Sequence, residues 1–366
     1  MKIAIIDMDN LKNPYWAAGQ ARATREVGKI LALKHTVTVY TSKYSGWKDY
    51  AEDGIQYNHV GLNFSNPFIN NVLFIIAIPF VVRKIQADIV IENFNAPTSV
   101  SFSPIFTKIP VIALPTMFNA KEFARKYKLP FHWVEKIGFK FYKYLLPYSE
   151  VDSKKARSLN PNIIYKIVHQ GVGEEYFKIT QKKPKFILFL GRFDIAQKGI
   201  DLLLRAYAKV SAKIGYTLVI AGHGPDENKI DNLIKELKVG KFVKIVGPAY
   251  GKKKLKLMSE ALFVAFPSRH DEMCLWALEA LAGGLPLVGF DISESKWLSK
   301  DISLKAKPFD INHYAEILLK ATDLKVINPM RKNARIITRK YTWEKVASEF
   351  EKFIKIVLKK EGRKNE

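Results

Sequence analysis

The chain is nearly free of cysteine: among 366 residues there is one, Cys274. That excludes an internal disulfide and a cysteine-rich metal site, and it fits a reducing compartment. Long apolar runs are missing too. The longest, VLFIIAIPFVV from Val72 to Val82, is too short to span a bilayer and carries a proline. The opening MKIAIIDMD reads as a strand followed by acids, without the basic and then apolar stretch of a signal peptide. The expectation is a soluble, cytoplasmic protein, at most peripheral on the inner face of a membrane. Acids are scarce as well: 35 Asp and Glu stand against 59 Lys and Arg, a formal net charge of +24. Such an excess suits an anionic partner, whether nucleic acid, anionic lipid or a phosphorylated small molecule.

What is present is a globular chain, 48% apolar and long enough for two ordinary domains. Short β-branched runs alternate with helical stretches: MKIAIID, a helix over about Gln20–Leu33, TVTVYT, then ADIVIEN and PVIALP. The pattern restarts after residue 180 with KFILFLGR, IDLLLRAYAKVSAKI, YTLVIAG, ENKIDNLIKELKV, FVKIVG, KKKLKLMSEA and LFVAFPS. This alternation predicts an α/β chain of two Rossmann-like, doubly wound parallel-sheet domains, over 1–170 and 180–335, with a hinge near GVGEEYFKITQKKPK. A last helix over 342–360 carries Trp343, Val346, Phe350, Phe353 and Val357 at helical spacing and is expected to pack back on the first domain.

One stretch asks for a ligand. In RHDEMCLWALEALAGGLPLVGF, Leu275 to Ala282 has strong helix formers, Gly283, Gly284 and Pro286 stop it, and LVGF reads as a buried strand. Asp271 then lies on the loop before a helix and Glu279 in its second turn. The helix start favours anions, and a carboxylate beside a bound phosphate is placed to accept hydrogen bonds from sugar hydroxyls. A lone Glu on a helix is more often simply solvated.

Two further loops follow strands of the same half. FLGRFDIAQKG offers Gly191, Arg192 and Lys198, two cations that suit a diphosphate, one as a fork and one as a point charge. IAGHGP makes a tight glycine turn, with His223 as a turn residue. Singly, each loop is also consistent with an ordinary surface.

Together, GRFDIAQKGIDLLLRAY, LVIAGHGP and PSRHDEMCLWALEALAGGLPLV, in that order, resemble the second domain of the family 4 retaining glycosyltransferases of the GT-B fold. The resemblance is strongest over residues 185 to 290. It implies two Rossmann-like domains facing a cleft, a nucleotide-diphosphate sugar as donor and retention of anomeric configuration, with no metal or other cofactor. By position it assigns the ribose hydroxyls to Glu279, the transferred sugar to Asp271 and the leaving diphosphate to Arg192 and Lys198. The backbone of Met273, Cys274 and Leu275 would add amide hydrogens, Gly191 and Gly19 would let the backbone approach phosphate, and Pro248 and Ala249 would border the base. Asp271 stands where the family has Glu. The usual EGFG reads DEMC, the usual Gly-Gly loop reads Ala18-Gly19, and Thr116 stands near a position that is often His.

The acceptor is expected to be a lipid-linked molecule or a glycan. From 119 to 157, Lys and Arg interleave with Phe, Tyr and Trp, which suits an anionic membrane surface; the same pattern also fits an amphipathic helix with aromatics inward. Nucleic acid ranks below both, since no RNA or DNA module accompanies the stretch. The alternative to a transferase is a non-catalytic GT-B-like module that binds membrane or nucleic acid through its basic surface.

Overall fold

The structure, a computed structural model, describes the chain apart from residues 16–18, 95–99, 116–117, 119, 272–273 and 364–366. It divides into two compact units, one comprising 1–169 with 343–366 and the other 170–342.

The first unit is built on an eight-stranded sheet: β1 (Lys2–Ile6), β2 (Thr36–Ser42), β3 (Tyr50–Glu52), β4 (Ile55–Val60), β5 (Ile89–Asn93), β6 (Val111–Leu114), β7 (Tyr144–Leu145) and β8 (Ile164–Tyr165). Their order is β3-β4-β2-β1-β5-β6-β7-β8, with every pairing parallel except β3 against β4. β1 and β5 are buried on both faces, which is why KIAII and IVIEN read as continuous apolar runs and not as alternation. The helix after β1 spans Gly19–Leu31 and ends two residues before the sequence limit of Leu33, in a turn over Ala32–Lys34. The last helix, Trp343–Lys360, starts directly after Thr342 and belongs to this unit. It buries Trp343, Val346, Phe350, Phe353 and Val357 and packs against the Gly19–Leu31 helix. Each such side chain contributes about 1.5–3 kcal/mol of burial.

The second unit has six strands, all parallel: β9 (Phe186–Leu190), β10 (Thr217–Ala221), β11 (Val243–Ile245), β12 (Ala261–Phe266), β13 (Leu287–Phe290) and β14 (Ser303–Ala306). Their order, β11-β10-β9-β12-β13-β14, is that of the doubly wound nucleotide-binding sheet. The chain moves outward from β9 to β11, then returns to place β12 on the other side of β9. Loops leaving the carboxyl ends of β9 and β12 therefore diverge, and the crevice between them is where such sheets take ligands. The helix over Leu275–Ala282 and the strand Leu287–Phe290 match the limits that Gly283, Gly284 and Pro286 impose.

Candidate functional site

Two glycines shape the loop after β9. The Gly191 amide donates to Ala221 O at 3.1 Å, and a Cβ on Gly222 would lie 1.8 Å from Gly191 O, so the loops after β9 and β10 touch backbone to backbone. Asp194 Oδ1 then accepts from the Gln197 amide at 3.1 Å and starts a single helical turn, Ile195–Lys198. That turn ends at Gly199, whose φ of +63° is left-handed and whose Cβ, if present, would meet Pro267 O at 2.1 Å. Only glycine passes so close to the loop after β12.

This path delivers Lys198 to the switch point. Its side chain is buried, and Nζ donates to Asp271 Oδ2, which also accepts from Ser268 Oγ at 3.1 Å. Arg269 fastens the two loops: its amide donates to Gln197 O at 2.9 Å, Nη1 to Ile195 O at 2.7 Å, and its fork holds both Asp201 oxygens at 2.8 Å. Sequence reasoning passed over Arg269, although its place two residues before Asp271 put it on the informative loop. Arg192 differs from Lys198 in being exposed, tethered by Asp194 at 2.7 Å and Gln197 at 3.3 Å.

Glu279 is not a solvated surface acid. It is 2% exposed and accepts from Lys254 Nζ, which reaches it from the Gly251–Glu260 helix and lies 5.5 Å from the Tyr176 ring. Lys254 escaped the sequence reading inside the run GKKKLKLMSE. The periodicity held a signal, because Lys254 stands one turn before buried Met258.

Cys274 occupies the cap position of the Leu275–Ala282 helix without capping it by its side chain. Burial, with the Asp271 carboxylate second, pushes its thiol far above the usual range, so it supplies no thiolate near neutral pH. Leu275, half-buried, opens the helix. Beyond β11, Pro248 is exposed with its carbonyl accepting from Lys253 Nζ at 2.9 Å, and Ala249 packs on the core. Gly19 is the exposed first residue of its helix in the first unit. Met273, Ala18 and Thr116 lie outside the described residues. Among the described residues, no cluster of three or more His, Cys, Asp or Glu could hold a metal ion.

The first unit contains a second charged cluster, at the end of β1. Asp7 is fully buried, accepting from Thr24 Oγ1 and from the Asp9 amide; Asn93 Nδ2 donates to Thr24 Oγ1 at 3.1 Å. Burial pushes the Asp7 carboxyl up to about 6. Asp9 rises to about 8, through burial first and repulsion by Asp7 second. Both folded values exceed the usual 3.8, so above pH 4 the native state holds protons the unfolded chain has released. The stability these groups contribute is complete below pH 4 and is lost as pH rises through 6 and 8, at about 1.4 kcal/mol per pH unit and proton. Asp9→Asn is therefore expected to change Tm little at pH 4 and to raise it by roughly 3 °C or more at pH 8.5. Thermal melts across that range test this, and a uniform shift at all pH values would refute it.

The chain is similar to known proteins in sequence and in fold. The family model described as "Glycosyl transferases group 1" matches residues 173–341. Over 130 residues, 35% of this chain and 34% of the relative, the sequence is 32% identical to the Campylobacter jejuni N-acetylgalactosamine-N,N'-diacetylbacillosaminyl-diphospho-undecaprenol 4-alpha-N-acetylgalactosaminyltransferase. The chain spans about half the length of the first curated relatives it matches. Sucrose-phosphate synthase from Thermosynechococcus elongatus superposes with a TM-score of 0.80 at 17% identity, covering 98% of this chain and 100% of that one. HepE of Anabaena, solved with UDP-glucose, gives 0.73 at 13%, covering 97% and 99%. These likenesses establish the fold.

Proposed function

This chain belongs, through residues 173–341, to the glycosyl transferases group 1 family and has the GT-B fold, and on that premise we propose that it moves a sugar from a nucleoside diphosphate sugar to a hydroxyl acceptor, with retention of configuration. The observation that carries the reading is the meeting of Lys198 and Asp271 at the β9/β12 switch point, beside a buried Glu279. A cation held by a carboxylate in a buried loop is preorganised for charge that develops on a leaving diphosphate. Arg192, exposed and tethered to Asp194, adds a fork for the same oxygens. Glu279 and Asp271 take the ribose and the transferred sugar, since an ionised carboxylate accepts from hydroxyls. Cys274 and Leu275 contribute backbone, Gly191 close approach to phosphate, and Pro248 and Ala249 the border of the base. UDP is the first nucleotide to try, given that HepE binds UDP-glucose.

For the acceptor we favour a lipid-linked molecule, the class named for the Campylobacter jejuni relative. The 119–157 stretch supports it. Phe139 and Tyr142 are core, whereas Trp133, Ile137 and Phe141 are exposed beside exposed Lys136 and Lys140. The Pro67–Lys84 helix adds exposed Ile69, Val72, Ile76 and Phe80, spaced along one face. Ring contacts connect the two: Arg83 lies 4.9 Å from the Phe106 ring, and Phe102 lies 6.3 Å from Phe141. An apolar surface rimmed by lysines suits an anionic bilayer. No helix of the described residues is long and apolar enough to cross a membrane.

A panel of nucleotide sugars tests the proposal through nucleoside diphosphate release and the anomeric signal of the product. One donor should be turned over with retention. Release with none of the panel, while the protein still binds vesicles, would favour the non-catalytic module instead.

A further inference from the structure

An open pocket of about 120 Å³ lies wholly within the first unit, between the loop after β1, the Gly19–Leu31 helix and the β3–β4 hairpin. Its wall includes Asp9, Asn10, Lys12, Arg25, Tyr50 and Glu52. The polar groups there fall into two sets. Lys12 Nζ sits 3.6 Å from the Tyr50 ring centre and 3.0 Å from Glu52 Oε2, and Arg25 forks Asp53 at 2.7–2.8 Å while reaching Glu52 at 3.5 Å. Both cations are thus already neutralised by carboxylates of the hairpin. Asp9 and Asn10 are the opposite case. Asn10 is 2% exposed; its Oδ1 accepts from the Lys12 amide at 2.8 Å and from Tyr50 Oη at 3.1 Å, but its buried Nδ2 has no acceptor among the described residues. A buried amide donor left so is destabilising until an acceptor reaches it. The Asp9 side chain next to it makes no hydrogen bond or ion pair among the described residues, and its only electrostatic neighbour of note is Asp7, of like charge. The Tyr50 ring is stacked on Tyr57 at 4.5 Å on one face and covered by Lys12 on the other, so its hydroxyl is held firmly against Asn10.

A group that both accepts from an amide and shares a hydrogen bond with a carboxyl is a hydroxyl, as a sugar or polyol presents. A phosphate accepts from Asn10 equally well, but it finds Lys12 and Arg25 already paired with Glu52 and Asp53 and would bring its charge in without a free cation. We propose that this pocket is a subsite for a neutral glycan hydroxyl of the acceptor, held between Asn10 Nδ2 and Asp9, so that the acceptor presents an uncharged sugar and not a sugar phosphate to the first unit. This rests on the transferase reading above and makes its acceptor more specific. The burial that raises the Asp9 carboxyl keeps it largely protonated near neutral pH, where it donates or accepts with a hydroxyl without burying a bare charge.

Saturation-transfer NMR on the full chain, with methyl hexosides and myo-inositol as neutral probes and glucose 6-phosphate as the anionic one, tests this without turnover. Neutral probes should bind in the absence of donor and persist at saturating UDP-glucose, and glucose 6-phosphate should bind no more tightly. Asn10→Asp keeps the Oδ1 contacts to Lys12 and Tyr50 but removes the donor, and should weaken binding at least tenfold. Asp9→Ala removes the carboxyl and should do the same, whereas Asp9→Asn, the isostere of the protonated acid, should bind much as the parent does near neutral pH while raising Tm at pH 8.5, which separates lost binding from lost fold. Ala21→Met, from the pocket's helical wall, should block it. Tighter binding of glucose 6-phosphate, displacement of the neutral probes by UDP-glucose, or unchanged affinity in Asn10→Asp and Asp9→Ala would each overturn the proposal. Absence of neutral-probe binding in a protein that still releases UDP from its donor would also overturn it, and would leave the transferase reading standing.

Discussion

Lys198→Met is expected to lower sugar transfer by 10²–10³-fold, the effect of removing one preorganised donor from a developing anion. The same variant should weaken nucleoside diphosphate binding by about 1.5–3 kcal/mol, the worth of a charge-assisted hydrogen bond. It should also unfold at a lower temperature, because the Asp271 carboxylate, 8% exposed, keeps the Ser268 hydroxyl but loses its ammonium partner. Breaking one side of a buried pair costs about 3–5 kcal/mol, whereas removing both sides is often close to neutral. A double-mutant cycle with Asp271→Asn separates these contributions. In Lys198→Met/Asp271→Asn the Tm should recover most of the loss while transfer stays down. Asp271→Asn alone keeps the cation, so UDP binding should hold within about threefold while turnover falls. Recovery of transfer along with Tm in the double variant would make the pair a structural tie and remove Lys198 from the chemistry.

The logic of that cycle was only half legible in the sequence. β-branched runs of five or six residues with helices between them dictate parallel sheets, and the restart after residue 180 dictates a second one, because such strands are buried on both faces and cannot alternate. The limits of the Leu275–Ala282 helix follow from residues that cannot continue it. Glycine placement likewise marks where backbone meets backbone, as at Gly199 against Pro267. Partnerships across long separations are another matter. Lys198 finds Asp271 73 positions away and Lys254 finds Glu279 25 positions away, and only the strand order β9-β12 brings the first pair together. The Asn10 pocket was hidden for the same reason. MKIAIIDMDN shows acids after a strand, but the hydroxyl that reaches Asn10 comes from Tyr50, on a hairpin 40 positions on. The Pro67–Lys84 helix was opaque for a different reason: a helix apolar on nearly all sides has no periodicity to say which face is exposed.

Its exposed face bears on the other large effect, which is on membrane binding. The parent protein is expected to sediment with vesicles rich in phosphatidylglycerol, weakly with neutral ones, and to release as salt screens the attraction beyond a Debye length of about 8–10 Å. Lys121, Lys128, Lys136 and Lys140 are exposed, and no ion pair occupies them among the described residues. The side chain of Lys126 in the same stretch lies outside the described residues. At about 1 kcal/mol for each basic residue near an anionic surface, replacing the four with Ser should weaken vesicle binding roughly a thousandfold. Trp133→Ser with Ile137→Ser should weaken it too, but with the salt dependence retained, since exposed apolar side chains contribute by insertion and not by charge. UDP affinity should stay within twofold of the parent in both variants, because all six residues belong to the first unit and Lys198, Asp271 and Glu279 to the second. If the parent ignores anionic vesicles, or the quadruple variant binds them as the parent does, this surface is not a bilayer contact. A soluble glycan would then be the acceptor, and the pocket at Asp9 and Asn10 would be where to look for its first sugar.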